Sequence, residues 1–82
     1  MLLRLRRSHY EMVWQILDYC RTPKKITHVI QGCNLNSKSA KEYIDLLISK
    51  DLLTNVDNNY KTTQTGYKYL KQIEEIYEAI FS

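Results

Sequence analysis

Apolar residues recur at the three- and four-residue spacing of an α-helix in three successive segments of the chain. The stripes are, in order, Met12, Val13, Ile16, Leu17 and Cys20; Ile26, Val29, Ile30 and Cys33; and Ala40, Tyr43, Ile44 and Leu47. Each stripe can bury one side of a helix, so the pattern predicts three helices around one core.

Polar residues and a proline mark the ends of the first helix. Ser8 followed by Glu11 predicts a capping box, in which each side chain would accept a hydrogen bond from a backbone N–H of the first turn. Pro23 cannot continue a helix, so the first helix is expected to end near Arg21.

The second and third helices are joined by a short turn. Gly32 is expected to form either a left-handed C-terminal cap of the second helix or a tight turn. Asn36 is expected to cap the third by accepting from the N–H of Lys38 or Ser39. A helix, a short turn with glycine and a second helix predict a helix-turn-helix.

The hydrophobic period changes after the third stripe. LLTNV is apolar and β-branched, DNN is a turn triplet, and YKTT again favours a strand. The sequence therefore predicts a hairpin of Leu53–Val56 and Tyr60–Thr63, with Asp57–Asn59 at its tip.

A last helix is expected to begin after a cap at Thr63 or Thr65 and to run to Phe81. Its seam repeats with 3-4-3 spacing at Leu70, Ile73, Tyr77 and Ile80. Part of the seam must cover the domain's own core, and the rest would be exposed in a monomer. A homodimer is expected through Leu70, Ile73, Ile76, Tyr77, Ile80 and Phe81. The alternative is a helix folded back on its own domain.

Taken together, these elements predict an α+β, mainly α, winged helix-turn-helix. Three helices precede a two-stranded hairpin, the wing, and a C-terminal helix follows. The expected organisation is a basic arm or helix extension at 1–7, the winged-helix domain at 8–63, and a dimerisation helix at 64–82.

The net charge of +3 is unevenly distributed. Residues 1–71 hold all 12 lysines and arginines against six acids, and residues 72–82 hold three glutamates without a base. A basic body suits a polyanion such as double-stranded DNA.

The outward face of the third helix is the candidate reading surface. Lys38 and Lys41 are expected to contact phosphates, because the helix N-terminus also favours anions. Base contacts are assigned to Ser37, Ser39 and Glu42, and Asn36 is counted among the DNA-binding residues. Asp45 would face phosphates, so only the first two turns are expected to enter a groove. The alternative is an ordinary solvated face.

Further basic residues flank this helix. Arg4, Arg6 and Arg7 form an arm that suits the phosphate backbone or a minor groove, and Lys61 is expected to contact phosphates from the wing. Leucines at 2, 3 and 5 favour the alternative that the arm extends the first helix and packs against a partner subunit.

Other classes of function have little support in the sequence. Cys20 and Cys33 are too few for a disulfide scaffold and are expected to be buried. The histidines and cysteines match no zinc spacing, and no phosphate loop or nucleophile elbow is present, so neither an enzyme nor a cofactor or metal is expected. Neither a membrane span nor a signal peptide is expected, nor a small-molecule ligand, and the cytoplasm is the expected location.

The pieces RSHYEMVWQILDYC, GCNLN, YIDLL and YKTTQTGYKYL resemble the small archaeal winged-helix DNA-binding proteins. That family includes transcription regulators and ten-kilodalton chromatin-associated proteins. The family usually has an apolar residue where this chain has Thr62, which predicts a more exposed second strand here. The last helix is also shorter than the long antiparallel coiled coil of many relatives.

The resemblance implies the winged-helix fold and DNA binding. We therefore expect a homodimeric transcriptional regulator with its third helix in the major groove and its wing on the backbone. The sequence leaves two alternatives: a nucleoid-type architectural DNA-binding protein, and a winged-helix protein-interaction module that does not bind DNA.

Overall fold

A computed structural model describes residues 9–81, which form four helices and one antiparallel hairpin. The elements are α1 His9–Tyr19, α2 Ile26–Gly32, α3 Ser37–Ser49, β1 Leu53–Val56, β2 Asn59–Thr62 and α4 Gln64–Phe81. This is the order predicted from the hydrophobic pattern. The predicted cap at Ser8 and the basic arm lie outside the described residues, and the predicted domain boundaries stay predictions.

The core lies where α1, α2, α3, the hairpin and the first half of α4 meet. Its buried side chains are Ile16, Leu17, Cys20, Val29, Cys33, Ile44, Leu47, Leu52, Leu53 and Leu70. Residues from all three predicted stripes belong to this core, while Val13, Ile26 and Tyr43 are only partly buried against it. Removing apolar side chains from water is the main gain in folding.

The turn between α2 and α3 depends on Asn34 rather than on Gly32. Asn34 has φ of 55°, in the left-handed region that Asn tolerates better than most residues. Gly32 remains the last residue of α2, and a Cβ at this position would overlap the ring of Tyr19. The predicted left-handed cap at Gly32 is therefore wrong. The glycine instead allows a close approach to Tyr19.

The hairpin turns through two residues. Asp57 and Asn58 have φ of 53° and 65°, as in the type I′ turn whose twist matches that of the paired strands. Val56 consequently pairs with Asn59. The second strand begins one residue earlier than predicted, because the tip needs two residues and not three.

Thr62, at the end of β2, is buried rather than exposed. Only 2% of the residue is accessible, and its hydroxyl donates a hydrogen bond to the carbonyl of Leu17 at 2.6 Å. The prediction of a more exposed second strand is wrong, because this hydroxyl finds a partner inside the core.

The start of α4 is fixed by Thr63, the first of the two predicted caps. Its hydroxyl oxygen accepts from the N–H of Gly66 at 2.9 Å and donates to the carbonyl of Asp51 at 2.6 Å. Gly66 lies against the carbonyl of Leu52, where any Cβ would overlap that oxygen. The helix can therefore enter the core directly after the hairpin.

Candidate nucleic-acid interface

Asn36 fixes the start of α3. Its backbone is extended, and its side-chain oxygen accepts a hydrogen bond from the N–H of Ser39 at 2.8 Å. Ser39 is one of the two donors predicted for this cap. Because that oxygen serves the cap, the amide NH₂ group is what Asn36 presents to a ligand.

The first two turns of α3 expose the predicted contact residues together. The buried side is formed by Ala40, Ile44 and Leu47. The opposite side holds the exposed Ser37, Lys38, Lys41 and Glu42 and the half-buried Ser39. Hydroxyl and ammonium groups are thus grouped at a helix N-terminus, where the helix dipole also attracts anions.

A hydrogen bond of 2.7 Å joins Nδ1 of His9 to the hydroxyl of Tyr43. It ties the first residue of α1 to the middle of α3, which orients the exposed face of α3 relative to the domain. Sequence reasoning missed this contact, since no periodic signal links residues 34 positions apart.

The hairpin is anchored by the segment before α2. The N–H of Lys24 donates to the carbonyl of Tyr60 at 2.9 Å, and the N–H of Tyr60 donates to the carbonyl of Lys24 at 2.7 Å. These two bonds extend the sheet by one short pairing and hold β2 against the segment before α2.

Lys61 lies beside α4. Its ammonium is 5.7 Å from the centre of the Tyr67 ring, and the guanidinium of Arg21 is 5.8 Å from the same ring. Lys61 is half-buried there. It therefore belongs to a cluster with Arg21 and Tyr67 at the base of the wing.

Half of the predicted dimer seam belongs to the domain's own core. Leu70 and Ile73 are buried, because the first half of α4 packs on α1. The indole N–H of Trp14 reinforces that packing by donating to the carboxylate of Glu74 at 3.1 Å. Leu70 and Ile73 are therefore not available to a dimer interface.

The rest of the seam is accessible. Ile76, Ile80 and Phe81 are 58%, 64% and 68% exposed, and Tyr77 is half-buried. They border an apolar groove of about 720 Å³ between α1, α3 and α4. We call it the α1–α3–α4 groove; Tyr10, Val13, Leu46 and Tyr69 also line it.

The described residues contain neither a cluster of metal ligands nor a membrane-spanning helix. Within residues 9–81 no three His, Cys, Asp or Glu side chains are arranged to hold a metal ion. Over the same range no helix combines the length and apolarity needed to cross a membrane.

Comparison with solved structures gives similar folds. Sso10a-2, a DNA-binding protein from Sulfolobus solfataricus, is 28% identical with a TM-score of 0.78, over 89% of this chain and 81% of that one. A Listeria innocua protein of unknown function has 18% identity and a TM-score of 0.74, over 83% and 52% of the two chains. IdeR of T. acidophilum has 16% identity and a TM-score of 0.65, over 85% and 34%. The last two show the fold alone.

Sequence comparison gives two uncharacterized proteins of Methanocaldococcus jannaschii. One is 28% identical over 80 residues, covering 96% of this chain and 82% of the relative. The other is 26% identical over 78 residues, covering 94% of this chain and 37% of the relative. Residues 6–81 match the winged helix-turn-helix family model. Three helices, a hairpin wing and a C-terminal helix agree with that match, and the chain belongs to the winged helix-turn-helix family.

Proposed function

We propose that this protein binds double-stranded DNA as a homodimeric transcriptional regulator, with α3 in the major groove. The observation that carries the proposal is the exposed, capped start of α3, which presents Ser37, Lys38 and Lys41 side by side. The similarity to Sso10a-2, a DNA-binding protein, supports the DNA-binding part of this proposal.

The position of Asp45 limits how far α3 enters the groove. Asp45 is exposed and follows Ser37 by eight residues, or about 12 Å along the helix axis. The major groove is only about 8.5 Å deep. A helix that enters the groove by its N-terminus therefore keeps this carboxylate outside the groove.

Within those two turns the side chains have different roles. Lys38 and Lys41 contact phosphates, which sets the position of the helix and carries no sequence information. Ser37, Ser39 and the amide of Asn36 face base edges. Glu42 can accept from the amino group of cytosine.

The flanking basic residues add affinity that depends on salt rather than on sequence. Arg4, Arg6 and Arg7 lie outside the described residues and are proposed to contact the backbone beside α3. Lys61 is proposed to contact it from the base of the wing.

Dimerisation through the end of α4 would set the spacing of the DNA site. The proposed seam consists of the exposed Ile76, Ile80 and Phe81 and the half-buried Tyr77, since an apolar patch of this kind marks an interface. A two-fold dimer presents two α3 helices about 34 Å apart, one turn of the duplex, and so prefers an inverted repeat. The proposed location is the nucleoid, in the cytoplasm.

The test is a titration of the protein into a labelled random-sequence duplex, followed by anisotropy at several salt concentrations. A DNA-binding protein gives an affinity that falls linearly on a log–log plot, with a slope of about −0.9 for each phosphate neutralised. Absence of binding even at low salt would contradict the proposal.

The carboxylates of Glu42 and Asp45 favour a second candidate. Both are exposed on the same side as the lysines, as in a surface that docks a basic protein partner. If the protein is a protein-interaction module, the titration above should give no DNA binding at moderate salt. An architectural DNA-binding protein would bind, but its specific-to-random affinity ratio would stay near one.

A further inference from the structure

Part of the lining of the α1–α3–α4 groove has no role in the proposed function. Ile76, Ile80 and Phe81 belong to the seam where the proposed dimer forms. Tyr10 and Leu46 also line the groove but lie outside that seam, and they are 72% and 47% exposed. Among residues 9–81 both side chains stay accessible, and an apolar surface of this size is unusual without an occupant.

We propose that the groove binds the amino-terminal segment of the same chain, through Leu2, Leu3 and Leu5. The segment is joined directly to the groove. His9, the first described residue, itself lines the groove. The segment before it therefore needs no linker to reach the groove.

The segment is also long enough to reach the walls of the groove. Leu5 precedes His9 by four residues and Leu2 precedes it by seven, which allow spans of up to about 14 and 25 Å. The shorter dimensions of the molecule are 19 and 26 Å. All three leucines can therefore reach the walls formed by α1, α3 and α4.

The apolar and basic residues of the segment also suit the groove and its surroundings. Three leucines among the first five residues give this segment an apolar character that matches the groove. Arg4, Arg6 and Arg7 alternate with them or follow them, and long basic side chains keep their charged ends in water while their stems cover apolar surface. Binding by the leucines thus leaves the arginines at the surface, and it does not depend on whether the protein binds DNA.

The experiment uses the full chain with one reporter thiol. Cys20 and Cys33 are buried, so they should not react with a maleimide. The thiol introduced by Leu46→Cys then reports on the groove. Val56→Cys, at an exposed position of the wing, is the matched control. Maleimide labelling of Leu46→Cys is expected to be at least about tenfold slower than that of Val56→Cys.

The same two reporters are then combined with Leu2→Ser, Leu3→Ser and Leu5→Ser. Labelling of Leu46→Cys should rise to the rate of the control, and that of Val56→Cys should not change. The rates should be independent of protein concentration, because the occupant belongs to the same chain. Circular dichroism melting verifies that each variant is folded.

Two outcomes would overturn the proposal. Fast labelling of Leu46→Cys in the chain with all three leucines would mean that the groove is open. Protection that disappears on dilution would identify a second copy as the occupant instead. As a readout without an added cysteine, binding of an apolar dye should increase in the triple leucine variant; unchanged dye binding would also contradict the proposal.

Discussion

The hydroxyl of Thr62 donates a hydrogen bond of 2.6 Å to the carbonyl of Leu17, across 45 positions of the sequence. The backbone N–H of Thr62 donates to the carbonyl of Cys20 at 2.9 Å. One residue of β2 thus satisfies two carbonyls at the C-terminal end of α1, where a helix leaves its carbonyls without intrahelical partners. The wing is in this way fixed to α1.

Thr62→Val should therefore destabilise the fold although it preserves the shape of the side chain. A buried carbonyl left without its donor costs about 1–3 kcal/mol, and each kcal/mol lowers Tm by roughly 4–8 °C in a chain of this size. Thermal melting measures the change. Thr54→Val, at an exposed position of β1, is the control and should stay within about 0.5 kcal/mol. Equal melting of both variants would show that the hydroxyl is not important.

The stability of the fold should also fall at high pH because of Cys20. Burial raises the pKa of this thiol from 9.0 to about 12, with Cys33 adding to the rise and Lys24 opposing it. Between these values the unfolded chain loses the proton while the folded chain keeps it. The unfolded state then binds fewer protons, so the free energy of unfolding decreases as pH rises.

Denaturant titrations across this pH range measure that decrease, which amounts to at most about 1.4 kcal/mol per pH unit for one thiol. Cys20→Ala should flatten the profile. The variant also leaves a cavity, so slopes rather than absolute free energies are compared. A variant with the slope of the parent would exclude Cys20 as the cause.

The helices were predictable because their signals are local. Met12 and Ile16 lie on one side of α1 by periodicity alone, and the buried face of α3 follows in the same way. The exposed face of α3 is then fixed as the complement of the buried one. That is why the residues assigned to DNA on this helix do lie together on its free side.

The features that sequence reasoning missed depend on partners distant in the chain. Thr62 is polar and looked exposed, but its partner is 45 positions away. The bond between Trp14 and Glu74 spans 60 positions. The position of Lys61 depends on Tyr67 of another element. A pattern along one strand or helix contains no information about such pairs.

DNA affinity should depend on the lysines at the start of α3. Lys38→Ala together with Lys41→Ala should weaken duplex binding and reduce the salt slope by about 1.8, because each lost phosphate contact removes about 0.9. Both side chains are exposed, so Tm should hardly change. Anisotropy titrations at several salt concentrations give both quantities.

The matched control is Lys68→Ala with Lys71→Ala, which removes the same charge from exposed positions of α4. This variant should keep nearly the full affinity and slope. If both pairs of substitutions weaken binding equally, the effect belongs to net charge, and α3 is not the reading element.

The oligomeric state should depend on the exposed end of α4 and not on its buried half. Ile76→Asp with Ile80→Asp places two carboxylates in the proposed seam, where their desolvation opposes association. Because both positions are exposed in the single chain, the variant should fold, and light scattering should give the mass of one chain. Ala79→Asp adds charge to a neighbouring exposed position that does not line the groove, and this variant should remain a dimer. A dimer that survives the double substitution would exclude this seam, and the two α3 helices would then need another element to hold them one duplex turn apart.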